Sequence, residues 1–191
     1  MPKETNLSDS ELKRYARHIS LPSFGIEGQE RLKRSRVLCI GAGGLGSPCS
    51  IYLAAAGVGK IGIIDMDTVD ESNIQRQILH GSEDVGKKKI ESAEETIRNI
   101  NTNVELDLYD QEFNETNALN IGSNYDIIID GTDNFPSRYL VNDASVLLGI
   151  PNIYGSIFRF EGQVTVFSTS NNGPCYRCLF PDPPAKGAVP D

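Results

Sequence analysis

One short stretch constrains this chain more than any other. Gly41-Ala42-Gly43-Gly44-Leu45-Gly46 lies between an apolar run at 37–40 and a small-residue segment that reads as a helix to Ala56. Glycines 41, 43 and 46 have the Gly-x-Gly-x-x-Gly spacing, which carries meaning only between a strand and a helix, and that is where it stands. The glycines permit a tight turn and close backbone approach to a ligand, while the helix that follows offers free N–H groups and the positive end of its dipole to phosphate. Gly57 and Gly59 stop that helix. Residues 60–65 read as a second buried strand closed by Asp65, 19 residues after Gly46. A carboxylate there can accept hydrogen bonds from both ribose hydroxyls. A glycine turn alone could be no more than helix-on-strand packing; with strand, helix and Asp65 in place it points to a nucleotide. The pattern does not separate NAD from ATP.

The alternation continues along the chain. Over 87–99, Ile90, Ala93, Glu94 and Ile97 share one helical face. Strands are expected at 104–108, 126–130 and 151–154, and helices at 114–120 and 135–148. Residues 157–167 hold two strand-like runs around Glu161-Gly162 with no helix between them, so antiparallel pairing is expected there. The fold class is therefore α/β and Rossmann-like: a mostly parallel central sheet, helices on both faces and an antiparallel edge. Residues 1–34 read as an N-terminal helical arm that precedes the core, with Ser8 and Glu11 as a capping box and a second short helix at 29–34 after breaks at Gly25 and Gly28. Residues 35–170 read as the nucleotide-binding domain. Residues 171–191 read as a Pro/Gly-rich loop carrying Cys175-x-x-Cys178.

Charge and composition exclude several classes. The 18 basic against 26 acidic side chains leave a net charge of −8, which argues against a nucleic-acid or anionic-membrane partner. No apolar stretch approaches the ~20 residues that cross a bilayer, and no secretory signal is visible, so a cytoplasmic protein is expected. Four cysteines are too sparse for a secreted disulfide scaffold. Cys39 and Cys49 fall on a predicted strand and helix, whereas the Cys175/Cys178 pair reads as metal or redox chemistry. His18 and His80 fit no ligand spacing and read as structural or surface residues.

The polar residues after the second strand favour phosphate chemistry. Asp67, Asn73, Arg76 and Gln77 follow Asp65 at the carboxyl edge of the sheet, where open α/β folds bind ligands. Hydride transfer leaves a pyrophosphate intact and needs no arginine there. Attack on the α-phosphorus of ATP must instead neutralise charge on phosphorus and on departing pyrophosphate, which arginine and lysine supply. Lys87 and Lys88 read as a solvated face. After the fourth strand, Asp130 is placed to cap the turn and Asp133 to hold a magnesium ion, which takes one or two carboxylates plus phosphate oxygens; spacing alone leaves both roles open.

Several blocks in order carry a resemblance: Arg14-Tyr15-Ala16-Arg17, Gly41 to Gly46, Asp65-Met66-Asp67, Asn73-Ile74-Gln75-Arg76-Gln77, Lys89, Gly131-Thr132-Asp133-Asn134 and Cys175-Tyr176-Arg177-Cys178. From about Leu12 to its last residue the chain resembles the ThiF/MoeB/HesA family, bacterial relatives of the ubiquitin-activating enzymes. That resemblance implies an adenylyltransferase that uses Mg-ATP to adenylate the C-terminal glycine carboxylate of a ubiquitin-like sulfur carrier ending in Gly-Gly, for thiamine, molybdopterin or related sulfur transfer. It implies nucleotide contacts from Gly41, Gly43, Gly44, Gly46, Asp65, Asp67, Asn73, Arg76, Gln77, Lys89, Asp133 and Asn134. Among these, Asp65 takes the ribose, Asn73, Arg76 and Lys89 the phosphates, and Asp133 the magnesium. Arg17 resembles an arginine finger that enters the neighbouring subunit of a homodimer, which makes Arg17, Arg76 and Asp133 the catalytic set. Cys175 and Cys178 resemble half of a structural zinc site built from two Cys-x-x-Cys pairs. The sequence carries only this one, so it reads as a member that stops short at its C-terminus. Two alternatives are a truncated relative that binds nucleotide or carrier without catalysis, and an NAD-dependent oxidoreductase.

Overall fold

A computed structural model describes residues 6–183. Six strands form one sheet in the order β3-β2-β1-β4-β5-β6. They are β1 (Arg36–Ile40), β2 (Lys60–Ile64), β3 (Glu105–Tyr109), β4 (Ile127–Asp130), β5 (Asn152–Phe158) and β6 (Glu161–Phe167). All neighbours run parallel except β5 and β6. The connecting helices are α4 (Gly46–Ala56), α5 (Lys89–Ile100), α6 (Ala118–Gly122) and α7 (Phe135–Leu148).

The period of two along the strands divides the core into two layers. Val37 and Cys39 of β1, with Ile61 and Ile63 of β2, pack against Ala54, Ile90, Ala93 and Ile97 of α4 and α5. Leu38, Ile40, Ile64 and Ile128 point the other way, onto Ile121, Val141 and Ala144 of α6 and α7. With both faces covered, β1 and β2 are buried along nearly their full length, which is why these strands are apolar runs rather than alternating ones. Because β1 lies between β2 and β4, the chain turns in opposite directions from the carboxyl ends of β1 and β4, and a crevice opens at that switch point.

The N-terminal helices α1 (Asp9–Arg14), α2 (Ala16–Ile19) and α3 (Gly25–Arg34) lie at the opposite, amino edge. Ser8 and Glu11 form the expected capping box. Tyr15 and the fully buried Gln29 pack over Gly57, where a Cβ would come within 2.5 Å of the Tyr15 ring. Gln29 Nε2 donates to the Ala56 carbonyl and Asn101 Nδ2 to Tyr15 Oη, each at 2.8 Å.

Four local expectations are corrected. Gly28 does not break the chain; it lies inside α3, because the Phe24 ring sits over it and a Cβ there would approach the ring to 2.7 Å. The hairpin pivots at Arg159-Phe160, with Arg159 at φ 57°, not at Glu161-Gly162; Gly162 is within the ladder opposite Ile157. The 151–154 strand and the first run after 157 are one strand, β5. The Cys-x-x-Cys pair is not in an irregular loop: Cys175 immediately precedes α8 (Tyr176–Leu179), which holds Cys178. Tyr176 anchors that helix among Tyr139, Tyr154, Phe167 and Phe180, and its N–H donates to Asn142 Oδ1 at 2.7 Å. Residues 184–191 of the segment expected as loop, and residues 1–5 of the arm, lie outside the described residues.

Candidate active site

The crevice at the carboxyl ends of β1 and β4 has a volume of about 470 Å³. Its floor is the glycine turn. Gly41 takes φ +91°, a conformation side chains disfavour, and a Cβ at Gly46 would lie 1.8 Å from the Gly41 carbonyl oxygen. Two of the glycines are thus required by geometry, to close the turn. An added Cβ at Gly43 or Gly44 would instead meet only the Gln77 and Arg76 side chains, in ordinary contact at 3.8 and 3.7 Å. These two glycines leave the backbone bare where a ligand can reach it.

Asp65 follows β2 and does two things at once. Its Oδ2 accepts the Ala42 N–H at 2.8 Å, bracing the glycine turn, and its Oδ1 accepts the Asp67 N–H at 2.9 Å. Asp67 Oδ2 lies 2.7 Å from Lys89 Nζ, which is also 3.9 Å from Asp65 Oδ1. Lys89 is buried at the first turn of α5, where its own N–H donates to the Asp67 carbonyl. A bridge between Thr68 and Lys88 draws that helix start to the segment after β2. A lysine buried between two carboxylates and lining the cleft is the arrangement expected of a phosphate ligand.

Arg76 lays its stem across Gly44, with Cγ and Cδ 3.7 Å from an added Cβ, and its Nη1 donates to the Ser72 carbonyl at 3.1 Å. Gln77 is buried beside Gly43, and its Oε1 has no hydrogen-bond partner. Across the cleft, Thr132 donates both its N–H and its hydroxyl to Asp130 Oδ1, at 3.0 and 2.6 Å. Asp130 caps this turn, the structural role its position after the fourth strand offered. Burial pushes the Asp130 carboxyl above its ordinary value; the Thr132 hydrogen bonds and the Arg138 charge oppose that shift. Its second oxygen, like Arg138 Nε, is buried without a partner. Such orphaned polar atoms under a cleft fit a site built for a polar occupant.

Of the residues expected to contact nucleotide, Gly41, Gly43, Gly44, Asp65, Asp67, Arg76, Gln77, Lys89, Asp133 and Asn134 line this one cleft. Gly46 lies beneath the turn. Asn73 is not part of the lining; its carbonyl accepts the N–H groups of Arg76 and Gln77 and so shapes the loop that presents them. Arg17 is exposed on α2 at the amino edge, outside the cleft. Asp133 is exposed on the rim. Cys175 Sγ and Cys178 Sγ stand 3.7 Å apart, matching the roughly 3.8 Å edge of a zinc tetrahedron with bonds of about 2.3 Å. Among the described residues no cluster of three or more His, Cys, Asp or Glu side chains is placed to hold a metal.

Sequence reasoning missed Arg138. It lines the cleft from the first turn of α7, its guanidinium 5.3 Å from the Phe135 ring centre and 5.6 Å from that of Tyr154, with Nη2 3.4 Å from the Thr132 carbonyl. A basic residue one turn past the Asn134 cap was the available signal. Ile157 and Phe113, which add apolar wall, were legible only as strand and loop residues.

A glycine turn, a carboxylate and three cations around one cleft describe a nucleotide site without naming its chemistry. Similarity to known proteins narrows it: residues 15–191 match the ThiF family. This chain belongs to the ThiF family. It is 54% identical over 187 residues to MoeZ of Mycobacterium tuberculosis, named a probable adenylyltransferase/sulfurtransferase, covering 96% of this chain and 48% of MoeZ. It is 52% identical over 184 residues to a protein of Thermus thermophilus named sulfur carrier protein adenylyltransferase, covering 94% of this chain and 68% of that one. The ThiF-family chain thus spans about half of MoeZ and two thirds of the Thermus protein. Its fold also matches the crystal structure of selenomethionine PaaA, with a TM-score of 0.80 and 28% identity over 91% of this chain and 59% of PaaA. Among the described residues, no helix is long and apolar enough to cross a membrane.

Proposed function

We propose that this chain is an ATP-dependent adenylyltransferase acting on the C-terminal glycine carboxylate of a ubiquitin-like sulfur carrier. The observation that carries the reading is the convergence of the bare Gly43-Gly44 backbone, Asp65, Arg76, Lys89 and Asp133 on one cleft, in a chain about half identical to a sulfur carrier adenylyltransferase. Hydride transfer gives no reason for those cations to surround a phosphate turn, so the NAD alternative loses its support.

The chemistry follows from the groups present. One carboxylate oxygen of the carrier's terminal glycine attacks the α-phosphorus of ATP, a P–O bond forms, and the bond to the bridging oxygen breaks with its electron pair leaving on pyrophosphate. A carboxylate is already ionised at neutral pH, so no general base is required. Rate then comes from positioning and from charge stabilisation in the transition state. Asp65 orients the ribose, the turn and Lys89 hold phosphates, and Arg76 faces the charge that develops on the departing oxygens.

Magnesium fits a rim that offers Asp133 and needs ATP to complete the ligand set; bound there, it would neutralise phosphate charge. Cys175 and Cys178 would supply two thiolates to a zinc ion. Arg17 is exposed and does not line its own cleft, which supports a homodimer in which it serves the partner's site. Sulfide-level sulfur attacking the acyl carbon would then form a C–S bond and expel AMP with the electron pair of the C–O bond, leaving the thiocarboxylate. Arg76→Ala is expected to abolish carrier-dependent ATP–pyrophosphate exchange, with the circular dichroism spectrum and melting temperature of the parent. Exchange near the parental rate would remove Arg76 from the mechanism.

A further inference from the structure

Between the glycine turn and the helix that carries Lys89 stands a histidine to which sequence spacing assigned no chemistry. His80 is only 4% exposed. Its Nε2 lies 3.1 Å from the Ala42 carbonyl oxygen and its Nδ1 2.9 Å from Ser92 Oγ. A carbonyl oxygen can only accept, so Nε2 carries a proton. The same carbonyl also accepts the Ser47 hydroxyl at 3.0 Å, and the Ala42 N–H is held by Asp65. On the other side, Ser92 lies on α5 one turn from Lys89, and Ser92 Oγ is 2.8 Å from Asp84 Oδ2.

The consequence is geometric. In a trans peptide the C=O of one residue and the N–H of the next point in opposite directions. Drawing the Ala42 carbonyl inward onto His80 therefore turns the Gly43 N–H outward, toward the cleft that Gly43 lines. A reversed peptide would present a carbonyl oxygen to phosphate, with the wrong sign of charge.

We propose that His80 is a positioning residue for the nucleotide phosphates: its Nε2–H fixes the Ala42–Gly43 peptide with the N–H facing the cleft, and its link through Ser92 keeps that turn in register with the helix bearing Lys89. The inference rests on the reading of the cleft as an ATP site. Burial and the Lys89 charge push the imidazole below its ordinary value, while the Ala42 carbonyl and the charges of Asp65 and Asp84 oppose them. The Ser92 hydroxyl has a single proton, which goes either to Asp84 Oδ2 or to His80 Nδ1, and the Nε2–H donor to Ala42 is the same in both arrangements.

The test uses the full chain. Long-range proton–nitrogen spectra report the tautomer, and with two histidines in the sequence a His18→Gln variant assigns them. Calorimetric titration with Mg-ATP, and with adenosine as a phosphate-free probe, reads the consequence. Expected are a protonated Nε2, an ATP Kd raised about tenfold or more in His80→Leu with the adenosine Kd unchanged, and ATP binding within about threefold of the parent in His80→Gln, whose side-chain amide can still donate. A bare Nε2, a folded His80→Leu that binds ATP as the parent does, or equal losses of ATP and adenosine would overturn the proposal. If His80→Leu does not fold, the tautomer and the His80→Gln titration decide, a tenfold loss of ATP affinity in His80→Gln counting against it. A parent chain that binds neither ATP nor adenosine overturns the nucleotide reading itself, a result distinct from parental binding that His80→Leu leaves untouched.

Discussion

At the scale of single residues, glycines in one motif do different work, and substitution separates them. A methyl at Gly46 would lie 1.8 Å from the Gly41 carbonyl oxygen, whereas one at Gly43 meets nothing closer than Gln77 Nε2 at 3.8 Å. Gly46→Ala is expected to lower the melting temperature sharply and abolish ATP binding, since the turn itself must open; losses of a few kcal/mol are usual for such overlaps. Gly43→Ala should fold like the parent and weaken ATP by about tenfold, because the methyl stands where phosphate approaches. Thermal melts beside ATP titrations check both, and a Gly43→Ala chain that unfolds early would show that the turn has no slack. The spacing of this motif was fully legible in sequence. That Asp65 braces the Ala42 N–H as well as facing the cleft was not, since hydrogen bonds between positions 23 apart in the chain exist only once β1 and β2 pair.

At the scale of elements, the segment between β2 and α5 buries Val69 and Leu79 and adds a cluster of charged hydrogen bonds at its end. Asp84 accepts from Lys87 Nζ, Gly81 N–H and Ser92 Oγ, each at 2.8 Å, with the Lys87 hydrogen bond the largest influence holding its carboxyl at about 2 against an ordinary 3.8. A carboxyl depressed in the folded state favours folding above about pH 4, and that contribution disappears as pH falls through about 2. Asp84→Asn is expected to cost on the order of 1 kcal/mol at neutral pH, discounted because Lys87 is open to solvent, and to flatten the fall of stability between pH 4 and 2. Denaturant midpoints across that range read both effects; a variant with the parental slope would assign the acid sensitivity elsewhere. Helices and strands of this region were visible in the periodicity, but their ends were displaced. Lys87 and Lys88 fall outside α5 because their backbone is used by the Val69 and Thr68 contacts, a tertiary demand that helix propensity does not register.

At the scale of the whole molecule, the cleft and Arg17 lie at opposite edges of the sheet, so one subunit does not complete its own catalytic set if Arg17 acts. In the proposed homodimer, Arg17→Ala and Asp133→Ala chains, each inactive alone, are expected to regain up to about a quarter of parental exchange activity when randomly mixed, since half of such dimers would be hybrids and each hybrid would have one intact site. Mixed dimers verified by mass that stay inactive would place Arg17 outside catalysis. The exposed apolar hairpin of Ile157, Phe158, Phe160, Val164 and Val166 adjoins the cleft at Ile157 and supports a protein partner at this end of the molecule.

The sequence by itself determined the sheet and the chemistry of its turn, because apolar periodicity and glycine spacing are local properties that survive without knowledge of contacts. It also placed ten nucleotide candidates that the fold brings to one cleft, since parallel strands deliver every carboxyl end to the same edge. Only the tertiary structure decided the rest. The hairpin pivots at Arg159 because the Ile157–Gly162 pairing outweighs the turn preference of a glycine, and Gly28 sits within a helix because Phe24 covers it. His80 reaches the turn through side-chain contacts across elements, which depend on packing that no linear pattern encodes, while Arg138 had only its place one turn past the Asn134 cap to mark it.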